Sequence, residues 1–148
     1  MKTRTLPFIS VLTLVFIFAL IGCATGSKAY KKAFKEEVVG TWINPDYENR
    51  GDYFARMVIK PDRIIEAYPN AQDTDFLLEK VTIIEDRWTD SEGNIFYKMI
   101  VNEIAVIDAY ELWKLSNSEI VFEYVYSLTE YPTEIDPNDT GYRILYRE

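Results

Sequence analysis

The stretch Ile107–Ser127 reads IDAYELWKLSNSEIVFEYVYS and carries the clearest structural pattern in the chain. Apolar or aromatic residues occupy every second position from Ile120 to Tyr126. Because successive side chains of a β-strand point to opposite faces, this spacing places them on one face of a strand. The polar triplet at 116–118 predicts a tight turn. Ile107–Leu115 and Glu119–Ser127 are therefore predicted to pair as an antiparallel hairpin.

The same pattern continues outward in both directions. Segments rich in tyrosine, valine and isoleucine alternate with short polar turns, and helical periodicity is hard to find after residue 38. The chain is therefore predicted to be all-β, and strands joined as neighbours are typical of an up-and-down antiparallel barrel or of a sandwich. The eight predicted strands are Val38–Ile43, Tyr53–Ile59, Arg63–Tyr68, Leu78–Trp88, Asn94–Val101, Ile107–Leu115, Glu119–Ser127 and Gly141–Arg147.

Residues 1–22 have the features of a secretory signal. Lys2 and Arg4 give a positive start, and the run Phe8–Ile21 is almost entirely apolar. This run is shorter than the roughly 20 apolar residues that a membrane-spanning helix needs. We expect the segment to be cleaved, with an uncleaved membrane anchor as the alternative.

The signal ends at Leu20-Ile21-Gly22-Cys23, which resembles the lipobox of bacterial lipoproteins. The resemblance implies that the Cys23 thiol receives a diacylglyceryl group and that cleavage follows on its N-terminal side. Cys23 is the only cysteine in the chain, so a disulfide within the chain is impossible. A free or intermolecular cysteine is the alternative. The resemblance also implies palmitate-like acyl chains and a lipid-anchored place in the cell envelope, and Ala24 favours the outer membrane if the host is Gram-negative.

The chain after the signal is acidic. Residues 23–148 carry 14 Lys and Arg against 24 Asp and Glu, a net charge of −10. This charge disfavours nucleic acid as a partner and helps to keep the domain soluble. The 126 residues suffice for one domain with a real core, and the oligomeric state stays open.

Residues 23–37 are predicted to form a lipidated tether before a barrel domain at 38–148. The tether contains a cluster of lysines that could contact anionic headgroups. Tyr30, Phe34 and Val38 recur every four residues, so a short helix with Ser27 as its N-cap could instead lie against the domain. The lysines of this cluster are Lys28, Lys31, Lys32 and Lys35.

The composition offers little for catalysis. The chain has no histidine, which removes the usual general base, the histidine-dependent nucleophile systems and most zinc sites. The six glycines are scattered singly, so no phosphate-binding loop is present. The stretch that begins at Asp136 differs from a calcium loop at its fifth position, Thr140, and at its twelfth, Arg147, and is interpreted as a solvated turn. We predict no enzyme activity, no catalytic residue, no metal and no cofactor.

The Gly40-Thr41-Trp42 sequence opens the first strand after a short lead-in. With eight strands, this layout resembles the calycins, the group of lipocalin and fatty-acid-binding barrels. The resemblance implies that Trp42 plugs one end of the barrel and that an arginine near the last strand packs over it, with Arg143 and Arg147 as the candidates. The chain lacks the helical pair of fatty-acid-binding proteins and the C-terminal helix of most lipocalins. It is therefore predicted to be a minimal lipocalin-like barrel, and no specific ligand carries across.

The many aromatic residues are the positive clue to function. Tyrosines that point inward with polar tips could line a pocket for a small hydrophobic or amphipathic molecule. We expect such a molecule to enter opposite Trp42, beside the turns 60–63, 89–94 and 116–118. The alternative is a solid barrel that acts as a surface interaction or inhibitor module, with the acidic segment 129–139 as its contact surface. The predicted interior residues are Tyr97, Met99, Tyr110, Tyr124 and Tyr142.

Overall fold

The computed structural model describes residues 28–50, 52, 54–70, 72–103, 107–126 and 130–148. The predicted signal 1–22, the lipidation site Cys23 and the predicted N-cap Ser27 lie outside these residues. Two helices are described, α1 over residues 28–37 and α2 at Tyr47–Arg50. The strands are β1 (Gly40–Ile43), β2 (Arg56–Ile59), β3 (Ile64–Tyr68), β4 (Leu77–Thr89), β5 (Ile95–Glu103), β6 (Ile107–Leu115), β7 (Glu119–Val125) and β8 (Arg143–Arg147).

The eight strands form a closed antiparallel barrel in sequential order, which confirms the predicted fold class. Each strand pairs with the next, and β1 pairs with β8 through Trp42 opposite Arg147. Short turns join most neighbours, so this order follows from local connections. The long β4 strand has register shifts against β5 between Val81 and Ile83 and between Ile84 and Asp86. Such bulges increase the local bend that closing a sheet requires. The architecture is compatible with a calycin-like fold.

Connections of an up-and-down barrel alternate between its two ends. β1 starts beside α1, so the turns at 60–63, 90–94 and 116–118 also lie at this end, which we call the helix end. Strands β1, β3, β5 and β7 end at the opposite end of the barrel, which we call the far end. The prediction that the three short turns lie opposite Trp42 was therefore wrong, because a strand that starts at the helix end must reach the far end before the chain turns.

The barrel interior is densely filled. Tyr97, Met99 and Val101 of β5 are fully buried on one face, and Trp113 of β6 lies directly opposite Tyr97. The ring of Trp113 stacks on Phe122 at 5.1 Å between centroids. A side chain with no exposed surface borders neither solvent nor a water-filled cavity. These residues therefore form a solid core.

Helix α1 packs against the helix end of this core. Phe34 is fully buried, and its ring meets that of Tyr97 edge-on at 5.8 Å. The Glu37 carboxylate accepts hydrogen bonds from the Tyr97 hydroxyl at 2.6 Å and from Arg87 at 2.5 and 3.0 Å. Residues 28–37 thus form the helix that the apolar spacing allowed, and this helix belongs to the folded unit. None of the helices in the described residues is long and apolar enough to cross a membrane.

The two candidate arginines have different positions. The Arg147 guanidinium lies 4.5 Å from the centroid of the Trp42 ring. Arg143 lies at the far end, where its Nε is 2.6 Å from Asp52 Oδ1 at an angle too oblique for a hydrogen bond. Arg143 also donates to the Tyr124 hydroxyl at 3.2 Å. Arg147 is therefore the residue that packs over Trp42, and Arg143 ties the β1–β2 connection to the barrel.

Gly40, the first residue of the Gly40-Thr41-Trp42 sequence, is needed for its backbone conformation. Its φ of +150° lies in a region that residues with a Cβ rarely adopt. The chain needs this conformation where it leaves α1 and enters β1, directly before Trp42.

Candidate functional site: a groove on the outer wall

The described residues 130–142, between β7 and β8, pack against the outside of the barrel. We call residues 130–142 the covering segment. The Tyr131 ring lies 4.9 Å from that of Tyr110 on β6, and the Lys98 ammonium lies 5.6 Å from the Tyr131 centroid. Further along, the Asp136 N–H donates to the Glu123 carboxylate at 2.7 Å. These contacts hold the covering segment across β4 to β7.

The C-terminal part of the covering segment is held by a close approach of its backbone to that of β7. A Cβ added at Gly141 would lie 2.3 Å from the Tyr124 carbonyl oxygen. Only glycine fits against β7 at this distance, and the Gly141 N–H donates to the Asp139 carboxylate at 2.7 Å. The segment therefore rejoins the barrel wall at a fixed point.

Two adjoining open cavities lie between the covering segment and the wall. The first has a volume of about 730 Å³ and the second of about 480 Å³. Both are lined by Trp88, Leu112 and Thr133, so they form one outer-wall groove. The Trp88 and Phe96 rings stack at 5.1 Å with an interplanar angle of 5° and form part of its floor. The further lining residues are Asp86, Lys98, Lys114, Val121, Glu130, Tyr131, Pro132, Glu134, Ile135, Pro137 and Tyr142.

The groove combines an apolar floor with charged groups of both signs. Lys98 and Lys114 stand on the strands, whereas Glu130 and Glu134 stand on the covering segment. Such a mixture suits an amphipathic molecule with an apolar body. No cluster of three or more metal-ligating side chains occurs among the described residues.

Two ionisable groups under the covering segment are perturbed by burial. Burial raises the pKa of the Tyr131 hydroxyl above its usual range, and a hydrogen bond to Glu85 adds to this effect. Burial also raises the pKa of Glu123, with repulsion from Asp139 and Asp136 acting in the same direction and the Asp136 N–H opposing it. Both groups take part in contacts between the covering segment and the barrel wall.

The five predicted interior residues divide between the two faces. Tyr97 and Met99 are fully buried and point inward, and Tyr124 shares the inward face of β7 with Phe122. The prediction that Tyr110 and Tyr142 point inward was wrong. Tyr110 alternates with the inward Glu111, and Tyr142 precedes the inward Arg143 and lines the outer groove. Ligand contact by any of the five stays a prediction.

The residues of the groove floor were not predicted from the sequence. The pattern that indicates them is the stretch Ile95–Val101, in which Lys98 is the only charged residue. A strand that is apolar on both faces is buried on both faces, so something must cover its outer side. Phe96 and Ile100 therefore indicate a cover over the wall, although they do not say which segment provides it.

Comparison with known proteins gives no family. No protein-family model, no curated protein and no solved structure matches the chain.

Proposed function

We propose that this chain is a lipid-anchored, non-catalytic binding domain of the cell envelope, which takes a small amphipathic molecule in the outer-wall groove. The observation that carries the proposal is the groove itself, whose larger part measures about 730 Å³. Small-molecule sites typically measure about 300–1,000 Å³ and combine an apolar lining with a few polar groups.

The packed interior supports a site on the outside of the barrel. Inward residues of β5, β6 and β7, including Met99, Trp113 and Ile120, have no exposed surface. A ligand there would have to displace side chains packed at the density of a protein core, and removing one such side chain costs several kcal/mol. The barrel therefore acts as a scaffold, and the covering segment completes the site.

Trp88 provides a direct measurement of binding. It lines the groove, whereas Trp42 and Trp113 are 1% and 0% exposed in the core. Titration of purified residues 24–148 with 1-anilinonaphthalene-8-sulfonate should give saturable probe fluorescence with energy transfer from tryptophan. Trp88→Phe should lower this transfer, because it removes the tryptophan that lines the groove while it preserves an aromatic floor.

A matched pair of variants locates the site. Thr133 and Thr140 are both exposed on the covering segment, but only Thr133 lines the cavities. Thr133→Tyr should weaken probe binding by about tenfold, equivalent to the roughly 1.4 kcal/mol that obstructing part of the groove would cost. Thr140→Tyr should bind as the parent does. Absence of saturable binding to the parent chain, or equal effects of the two variants, would refute the groove as the site.

A second candidate function is supported by the outer side of the covering segment. Glu130, Glu134 and Asp139 are exposed on this segment, so it presents an acidic surface beside the groove. A domain that recognises a basic protein partner would use this surface. Asp139 does not line the groove, so affinity for a basic partner that falls on Asp139→Asn, with probe binding unchanged, would favour this function.

The lipid anchor on Cys23 is tested separately. We expect the exported chain to incorporate labelled fatty acid and its N-terminal peptide to carry the mass of the acyl groups. Cys23→Ala should abolish the label. A Cys23→Ala chain that still incorporates fatty acid would refute the anchor and leave the binding proposal standing.

A further inference from the structure

Helix α1 has a basic outer side. The four lysines Lys28, Lys31, Lys32 and Lys35 are all exposed, and we call them the lysine face. Because successive helical residues are about 100° apart, these positions fall within an arc of about 100°. Phe34, Tyr30 and Glu37 lie on the opposite side and face the barrel. Lys32 forms one exposed ion pair with Glu36 at 3.8 Å, and this pair lies at the edge of the face.

The direction of the lysine face is fixed by the barrel. The Glu37 carbonyl accepts a hydrogen bond from Arg147 at 2.7 Å, and the Val38 carbonyl accepts one from Trp42 Nε1 at 2.8 Å. Together with the buried ring of Phe34, these bonds hold α1 against the helix end. The lysines therefore project outward from the helix end.

The charge of the chain is divided unequally between α1 and the rest. Residues 28–37 carry four Lys and two Glu, a net charge of +2. Residues 38–148 carry 10 Lys and Arg against 22 Asp and Glu, a net charge of −12. An anionic surface attracts the first part and repels the second, so the domain has one favoured orientation on such a surface.

We infer that the lysine face binds an anionic phospholipid bilayer and that this contact directs the helix end of the barrel toward the membrane. The inference rests on the proposed anchoring through Cys23. Lys28 is five residues after Cys23, and five residues span at most about 18 Å when fully extended. The anchor thus keeps α1 near the surface, where the attraction acts over a Debye length of about 8 Å at physiological salt.

This orientation also sets the position of the groove. The Tyr30 hydroxyl donates to the Asp86 carboxylate at 3.3 Å, and Asp86 lines the larger cavity. The groove therefore opens on the wall next to α1, on the membrane-proximal side of the domain. An amphipathic molecule leaving the bilayer surface would meet this opening first.

Lysine acetylation of the anchored protein tests the contact. The lipidated chain is reconstituted into vesicles of equal parts phosphatidylglycerol and phosphatidylcholine, or of phosphatidylcholine alone, and the acetylation rate of each lysine is measured by mass spectrometry. We expect the lysine face to react several-fold more slowly on the anionic vesicles. Lys80 is exposed on β4 and provides the internal control, whose rate should be the same on both. In about 1 M salt, where the Debye length is about 3 Å, the protection should disappear.

A matched pair of variants supports the measurement. Lys31→Gln should reduce the protection of the remaining helix lysines, since one lysine near an anionic surface strengthens binding about fivefold. Lys80→Gln removes the same charge elsewhere and should leave the protection unchanged. Equal reactivity of the lysine face on both vesicle types would overturn the inference.

The experiment also separates this inference from the anchor. An acylated N-terminal peptide without protection leaves the anchor intact and refutes the orientation. A chain without acyl groups refutes the anchor, and protection of its lysine face on added anionic vesicles would still support the contact with anionic lipid.

Discussion

The guanidinium of Arg147 lies 4.5 Å from the centre of the Trp42 ring and also donates a hydrogen bond to the Glu37 carbonyl at 2.7 Å. The last residues of the barrel thereby join the first strand and the end of helix α1. Trp42 in turn donates its indole N–H to the Val38 carbonyl. These contacts close the barrel and hold the helix at the same place. Barrel closure and packing of the helix are therefore physically coupled.

Replacement of Arg147 tests this coupling. Arg147→Ala should lower the free energy of unfolding by about 1–2 kcal/mol, because it removes a cation–π contact and a hydrogen bond to a carbonyl. Arg147→Lys should recover part of the loss, since it keeps the charge but not the planar group. Urea denaturation measures both, with Lys80→Ala as an exposed control. An Arg147→Ala chain as stable as this control would contradict the role of the contact.

The packing of helix α1 predicts that truncation of one core residue strongly lowers the stability of the protein. Phe34→Ala should destabilise the protein by about 3–5 kcal/mol, because it removes a fully buried ring and leaves a cavity against Tyr97. Lys35→Ala, at the neighbouring exposed position, should change stability little. If residues 28–37 were only a solvated tether, both variants would unfold at the same urea concentration as the parent.

Replacement of Gly141 should cause a steric clash that replacement of a glycine in open space does not cause. Gly141→Ala should cost at least about 2 kcal/mol, since its Cβ would lie 2.3 Å from a backbone oxygen of β7. Gly93→Ala introduces strain at φ +88° but meets no atom within 4 Å, so it should cost about 1 kcal/mol.

The two glycine variants should also differ in fluorescence. Gly141→Ala should shift the emission of Trp88 to longer wavelength, because the covering segment moves away from the groove. Gly93→Ala, which lies in the β4–β5 turn, should retain the parent spectrum. Identical spectra of the two variants would contradict the close approach of the segment to the wall.

Glu123 predicts a pH dependence of stability. Its pKa is raised above the usual 4.5, chiefly by burial, so the folded state favours the protonated form. The stability that this preference contributes is present below the unfolded pKa and is lost as the pH rises through the folded pKa. Glu123→Gln keeps an acceptor for the Asp136 N–H without a buried charge.

The stability of Glu123→Gln relative to the parent should therefore increase from pH 4 toward pH 7. Thermal unfolding across this range measures the difference. Glu119→Gln, on the same strand but half-exposed, controls for the loss of one negative charge. A constant difference between parent and Glu123→Gln at all pH values would contradict the raised pKa.

Several features of the fold could be predicted because they are local. The turns at 60–63 and 116–118 join strands that pair directly, and each predicted strand lies within a few residues of its observed bounds. The sequence predicted that an arginine packs over Trp42 and left two candidates, Arg143 and Arg147. Register then selects between them, because Arg147 lies opposite Trp42 whereas Arg143 pairs with Phe122 of β7.

The groove could not be predicted in the same way. Its floor comes from β4, β5, β6 and β7, and its cover comes from residues 130–142, which are acidic and contain two prolines. The composition of that segment indicates a long loop. Its position depends on the buried carboxylate of Glu123 and on the close approach at Gly141, which are contacts between distant parts of the chain.

By itself, the sequence determined the eight strands and the antiparallel pairing of those that short turns join. Alternation with a period of two marks strands, and short polar turns force neighbours to pair. Only the tertiary structure decided which face of each strand points inward. A period of two has the same form for either choice of face, so Tyr97 and Tyr110 are equivalent in pattern. Tyr97 is buried in the core, whereas Tyr110 lies on the outer wall under Tyr131. Barrel closure buries the inner face of these strands, and the covering segment buries the outer face. The two tyrosines are therefore distinguished only in the folded structure.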